Sequence, residues 1–275
     1  VKTKTDSNKT KIPEKLKTSL KILADKYENL SFMKNDPSSF MHRYTNPRDQ
    51  EAAAFISANL SFGRREQILR KISYILDAAE PHLSDWIVSE EFTKIFPDSQ
   101  KKFYRFFSYG DMRLFFLRYK DVLEKFGSLG NAVEISYKNL ATTACGTENK
   151  GFCRQQLILS IITTLFKDSR LIPQDQSSAC KKLNMFLRWM VRTNSPVDLG
   201  LWTWYNAEDL LIPLDTHVIS SARKMKLLPK DCAVNFKTAL LLTQKMKQIW
   251  PDDPCKADFA LFGYGINNNN IFIKN

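Results

Sequence analysis

The chain has 275 residues, 43% of them hydrophobic, enough to bury a large core as one domain or two. Only 9 glycines and 11 prolines punctuate it, too few for an all-β sandwich whose short strands each need turn residues, so long helices are expected. A formal charge of +12 attracts polyanions, because each cation that reaches a phosphate displaces condensed counterions; nucleic acid is the leading partner and an anionic membrane surface the other.

The five cysteines Cys145, Cys153, Cys180, Cys232 and Cys255 make an odd count with no C-x-x-C pair. That excludes a zinc knuckle of this spacing and points to a reducing compartment. No apolar stretch approaches the ~20 residues that span a bilayer. The chain opens on Val1-Lys2-Thr3-Lys4 rather than on a charged and then apolar leader. A soluble protein of the cytosol, not associated with a membrane, is expected.

In chain order, residues 1–12 are rich in Lys, Thr and Ser and read as a flexible basic arm, followed by a single helical domain over 13–275 with two subdomains. Pro13 suits the first turn of a helix. Leu16, Leu20, Leu23, Tyr27 and Leu30 recur at spacings of three and four and predict a core helix from Glu14 to Leu30. A second helix is expected over Arg48–Leu60, broken by Gly63, and a third through Ile68, Ile72, Ile75 and Leu76. From Lys101 to Phe126, cations interleave with Phe103, Tyr104, Phe106, Phe107, Phe115, Phe116 and Tyr119. Rings among cations can stack on bases, but helical periodicity places most of these in the core. Polar breaks at 141–151 and 167–178 bracket a helix expected over Phe152–Phe166.

Four strings carry the chemistry: Ser178–Arg192, Val197–Trp202, Leu211–Val218 and Asp253–Gly263. In the first, Leu183, Phe186, Leu187, Met190 and Val191 define a buried helical face, with Ser177 or Ser178 as the cap. Lys181 then lies in the first turn, facing the positive end of the helix dipole, a setting that favours the neutral amine a nucleophile needs. In the third, the run Leu210–Leu214 delivers Asp215 to the start of a helix over Thr216–Met225, where backbone amides would hold its carboxylate ionised. His217 is a secondary candidate; Asp198 reads as the cap of a short helix. Trp189, Trp202 and Trp204 read as core residues or as the lining of a base pocket.

Pro213-Leu-Asp-Thr-His-Val218 resembles the Val-Asp-Thr-His segment of the helix-hairpin-helix DNA glycosylases, in which the aspartate is catalytic. Lys181 precedes Asp215 by 34 positions, a separation similar to that of the archaeal oxoguanine glycosylase branch. Asp258, Phe262 and Gly263 resemble that branch's Asp-x-x-x-Trp-x-x-Gly stretch. Over most of its length the chain resembles the uncharacterised bacterial DUF2400 family. It departs from the glycosylases in having no glycine in Ser177–Cys180, where they carry a phosphate-binding hairpin, and no four-cysteine iron–sulfur loop. Phe262 stands for tryptophan, and Gly63 falls near the position of a base-contacting glutamine.

The resemblance implies an all-α fold of about twelve or more helices, with an active-site cleft between two helical subdomains and a catalytic region at about 152–266. It implies base excision from damaged duplex DNA, at the nucleoid in the bacterial cytosol, by a monomer without metal or organic cofactor. Lys181 would attack C1′ and form a Schiff base that permits strand cleavage, while Asp215 would stabilise the cationic sugar and take the lysine's proton. Phe262 would stack on the flipped base, Asp258 would accept from its edge, and Lys182, Arg188, Arg192 and Arg223 would meet phosphates. The alternatives are a non-catalytic nucleic-acid-binding protein on the same scaffold, a protein directed at RNA or nucleosides, and a structural interaction module.

Overall fold

Asn46 and Pro47 start a helix at the centre of the molecule, α3 (Pro47–Leu60), with the Asn46 side chain accepting from the Arg48 amide and Pro47 in the first turn, where its missing N–H costs nothing. The computed structural model describes residues 11–144, 150–174 and 177–266. Ala52, Ala53, Ala54 and Ala58 are fully buried and let neighbouring elements approach closely, while the Phe55 ring meets Phe115, Phe166 and Phe186 at 5.6, 4.8 and 4.9 Å. The helix is buried nearly all round, so its apolar side is not a stripe.

Among the described residues there are twelve α-helices and one two-stranded hairpin. Around α3 stand α4 (Arg65–Ala79), α5 (Leu83–Val88), α6 (Tyr109–Phe126) and α7 (Leu129–Ala144). Two buried carboxylates of α3 fix two of them. Asp49 accepts the Ser84 amide at 2.7 Å in the first turn of α5. Glu51 accepts the amides of Leu129 and Gly130 at 2.7 and 2.8 Å in the first turn of α7, and Trp202 Nε1 at 2.8 Å. Anions at helix starts neutralise orphan amides and the dipole together. Burial pushes the Glu51 carboxyl up even so. A Cβ on Gly130 would stand 2.6 Å from Trp202 Nε1, so only glycine lets the indole and the carboxylate converge.

The helix expected to reach Leu30 ends at Tyr27 (α1, Glu14–Tyr27), because the Asn29 side chain accepts from the Phe32 amide and opens a separate turn, α2 (Leu30–Met33). Ile12, assigned to the flexible arm, is buried, and its amide donates to Gln248 Oε1 at 3.0 Å; residues 1–10 of that arm lie outside the described residues. The aromatic-basic segment begins as the hairpin β1 (Lys102–Tyr104) and β2 (Phe107–Ser108) and becomes α6 through a capping box of Ser108 and Asp111. Phe103, Tyr104, Phe107, Phe115, Phe116 and Tyr119 are in the core, whereas Phe106 is 57% exposed.

In the second half, α7 continues to Ala144 inside the polar break, of which 145–149 lie outside the described residues, and α8 spans Lys150–Leu165. Then come α9 (Lys181–Val191), α10 (Thr216–Lys224), α11 (Phe236–Met246) and α12 (Ala257–Ile266). Helix α12 packs on both α1 and α10. A Cβ on Gly263 would fall 2.0 Å from Tyr27 Cδ2, so α1 lies directly against the backbone of α12.

Candidate active site

Lys181 is the first residue of α9. The N-cap is Cys180, without a side-chain cap bond, rather than Ser177 or Ser178; the Ser178 hydroxyl accepts the Cys180 amide at 3.4 Å. Cys180 is left-handed, with φ 43° and ψ 39°, a conformation costing an L-residue about 1–2 kcal/mol. Asn184 stabilises the turn from below: its Nδ2 donates to the Ala179 carbonyl at 2.9 Å, and its Oδ1 accepts from Gln155 Nε2 at 2.8 Å. Tyr205 completes the chain, its hydroxyl donating to Gln155 Oε1 at 3.0 Å. Asn184 and Gln155 are fully buried, so every one of these bonds replaces lost hydration.

Asp215 is the N-cap of α10, as the sequence predicts. Its Oδ1 accepts the amides of His217 and Val218, both at 2.9 Å. Its Oδ2 lies 2.8 Å from Lys181 Nζ. Two helix starts therefore face each other with an amine on one and a carboxylate on the other. Burial pushes the Asp215 carboxyl up, but the Lys181 ammonium and the two amides outweigh it and hold the group below its usual value. His217 is exposed, and its backbone amide is what meets Asp215.

Asp258 is in the first turn of α12, close enough for Asp215 to raise its pKa and for Lys181 to lower it. Burial is the larger influence and, against the Arg188 guanidinium bonded to it, pushes the Asp258 carboxyl up to about 6. The Phe262 ring, half-buried, meets Phe32 edge to face at 5.3 Å.

Arg188 and Arg192, expected at phosphates, are instead buried in ion pairs. Arg188 Nε lies 3.3 Å from Asp198 Oδ1, and its Nη1 bonds Asp258. Arg192 binds Asp253 through Nε and Nη2, Asp198 through Nη1, and Glu28 through Nη2 at 2.7 Å. Asp198, expected as a cap, is consumed by the same network. With side chains 5% and 2% exposed, the two arginines hold α1, α9 and α12 together and present no face to a ligand. The Lys182 ammonium turns inward, donating to the Leu171 carbonyl at 2.6 Å and the Asn59 carbonyl at 3.3 Å, and burial pushes it down to about 8. Arg223 bonds the Cys232 carbonyl near the end of α10, roughly 12 Å along the axis from Asp215. Trp189 and Trp202 are core residues, and Trp204 stacks on Trp202 at 5.6 Å.

The model of a family described as "Protein of unknown function (DUF2400)" matches residues 36–267, most of the chain. The chain belongs to this family. No curated protein and no solved structure matches it. The match takes in Lys181, Asp215, Asp258 and Phe262, and in this DUF2400 chain Asn184 and Gln155 join them as supports that periodicity could not reveal. Both are polar residues inside otherwise apolar helical faces, the one signal that could have exposed them.

Proposed function

We propose that this DUF2400 protein is a DNA glycosylase with Schiff-base lyase activity on a damaged base. The observation that carries the reading is the 2.8 Å approach of Lys181 Nζ to Asp215 Oδ2 at two facing helix starts. Amide donors prepay the cost of keeping Asp215 ionised, so a cationic sugar beside it is stabilised without reorganisation. As the base of a flipped nucleotide departs with its bonding electrons, the proton of the Lys181 ammonium passes through Asp215 to that base, leaving Asp215 ionised, and the neutral amine bonds to C1′. Ring opening then gives an iminium between Lys181 and C1′, from which loss of the C2′ proton expels the 3′ phosphate. In this reading DNA lies across a cleft between two helical subdomains, with residues about 152–266 forming the catalytic one. Phe262 and Asp258 face the base, and Arg223 faces the backbone.

Support also comes from the turn before α9, which reaches a left-handed conformation at Cys180 without a glycine. The Arg188 bond to Asp258 favours the second reading, a nucleic-acid-binding protein without catalysis, because it occupies the carboxylate assigned to the base edge. Borohydride trapping on duplex DNA bearing an abasic site or an oxidised base separates the two. The catalytic reading expects a covalent adduct that maps to Lys181, is abolished in K181A and persists in K182A. No adduct with the wild-type protein, or an adduct unchanged by K181A, overturns it.

A further inference from the structure

The tip of the β1–β2 hairpin is built against the turn between α3 and α4. The Tyr104 hydroxyl donates to the Phe62 carbonyl. Gly63, at φ +107°, has no room for a side chain: a Cβ there would meet the Tyr104 hydroxyl oxygen at 2.8 Å and Arg105 Cδ at 3.6 Å. Arg105 itself is held in the left-handed region, at φ 56°, which turns the chain so that the next side chain faces outward. That side chain is Phe106, whose ring lies 5.2 Å from Phe62 and 4.6 Å from Phe107 yet remains 57% exposed. The neighbouring rings of this segment are buried, so the exposure is a property of this tip and not of the sequence around it.

The surroundings are cationic. Arg64, Arg65 and Arg105 are exposed, and none of the three forms an ion pair among the described residues; Glu66 is the acid beside them. The platform is also tied to the candidate active site. The Lys182 ammonium lies over the faces of Phe62 and Phe107, at 5.4 and 5.7 Å, and Lys182 is the residue after Lys181 in the first turn of α9. An aromatic face framed by unpaired cations, on a rigid tip beside an amine, matches the chemistry of an unpaired nucleotide: a flat base next to a charged phosphate.

We propose that Phe106 is a stacking platform for an unpaired base, with Arg64, Arg65 and Arg105 on the flanking phosphates. This rests on the reading that the substrate is nucleic acid, but not on Lys181 chemistry. Base–aromatic stacking contributes enough per base that removing one ring weakens binding about fivefold or more. The test is fluorescence anisotropy of the full chain at fixed salt with labelled oligothymidine, duplex bearing an abasic site, and fully paired duplex. Expected are a loss of about fivefold or more for F106A on the first two, little change on paired duplex, recovery in F106W but not in F106L, and an unchanged thermal melt. Wild-type affinity of F106A for single strands, or an equal loss on paired duplex, overturns the platform. So does the absence of nucleic-acid binding by the wild-type protein alongside capture of anionic vesicles or a protein ligand. Lysine trapping with an unaffected F106A sinks the platform alone; weakened binding in F106A without trapping sinks the lyase reading alone.

Discussion

The two oxygens of Asp215 have separable tasks, and two substitutions divide them. In D215N the Oδ1 acceptor survives and asparagine caps as well as aspartate, so the bonds to the His217 and Val218 amides persist. What is lost is the Oδ2 contact with Lys181, whose partners are 35% and 23% exposed, so screening limits its value to about 0–1 kcal/mol. D215A loses the cap as well, a further cost of about 1 kcal/mol, or roughly 2 °C in Tm for a chain of this size. Because the Asp215 pKa is lowered on folding, its stabilisation is present above the unfolded carboxylate value and disappears as pH falls through the folded one; neither variant shows this component. Denaturation followed by circular dichroism therefore ranks stability as wild type, D215N, D215A. Borohydride trapping ranks them differently, with both variants slower by about a hundredfold or more. Trapping by D215N at the wild-type rate, or D215N as unstable as D215A, would refute this division between the two oxygens.

R192A leaves Glu28, Asp198 and Asp253 without their shared cation in a buried setting and is expected to cost about 3–5 kcal/mol in urea denaturation; a loss under 1 kcal/mol would mean that water replaces the guanidinium there. For Asp258, the folded pKa of about 6 lies above the unfolded value, so ionisation weakens the native state as pH rises from about 4 to 6. D258N lacks that loss, and its stability relative to wild type should climb across this window and level off above it; a difference independent of pH would contradict the burial argument.

Much of the helical architecture is legible in the sequence because it repeats at short range. The faces through Leu20 and Leu23, through Ile68, Ile72 and Ile75, and through Leu183, Phe186 and Leu187 all become buried. Asp215 was readable as a cap since its partners are two and three residues away. Charges whose partners are distant in the chain are not legible in this way. Arg188 and Arg192 look like solvated helix residues until α1 and α12 bring Glu28, Asp253 and Asp258 to them, and no local spacing encodes that encounter. Likewise Glu51 appears as one acid in a helix, while its donors Leu129 and Trp202 come from elements far along the chain. Ser177 and Ser178 have the chemistry of a cap for α9, but the turn before it is held by Asn184 from inside the helix. Phe106 is one ring among several in an aromatic-basic segment, and the pattern does not single it out, because it is the left-handed Arg105 beside it that marks the exposed tip.

The contact between Tyr27 and Gly263, and the Ile12 amide on Gln248 Oε1, join residues separated by 236 positions. At synthesis rates of about 5–20 residues per second, α1 leaves the ribosome roughly 10–50 s before the surface that covers it exists. Leu20, Leu23 and Ala24 must wait through that interval without their final shelter, and Arg192 without Glu28 in place. Seating α1 on α12 must therefore await the synthesis of α12, and a nascent chain cut short before that helix stays both sticky and without Asp258 beside Asp215.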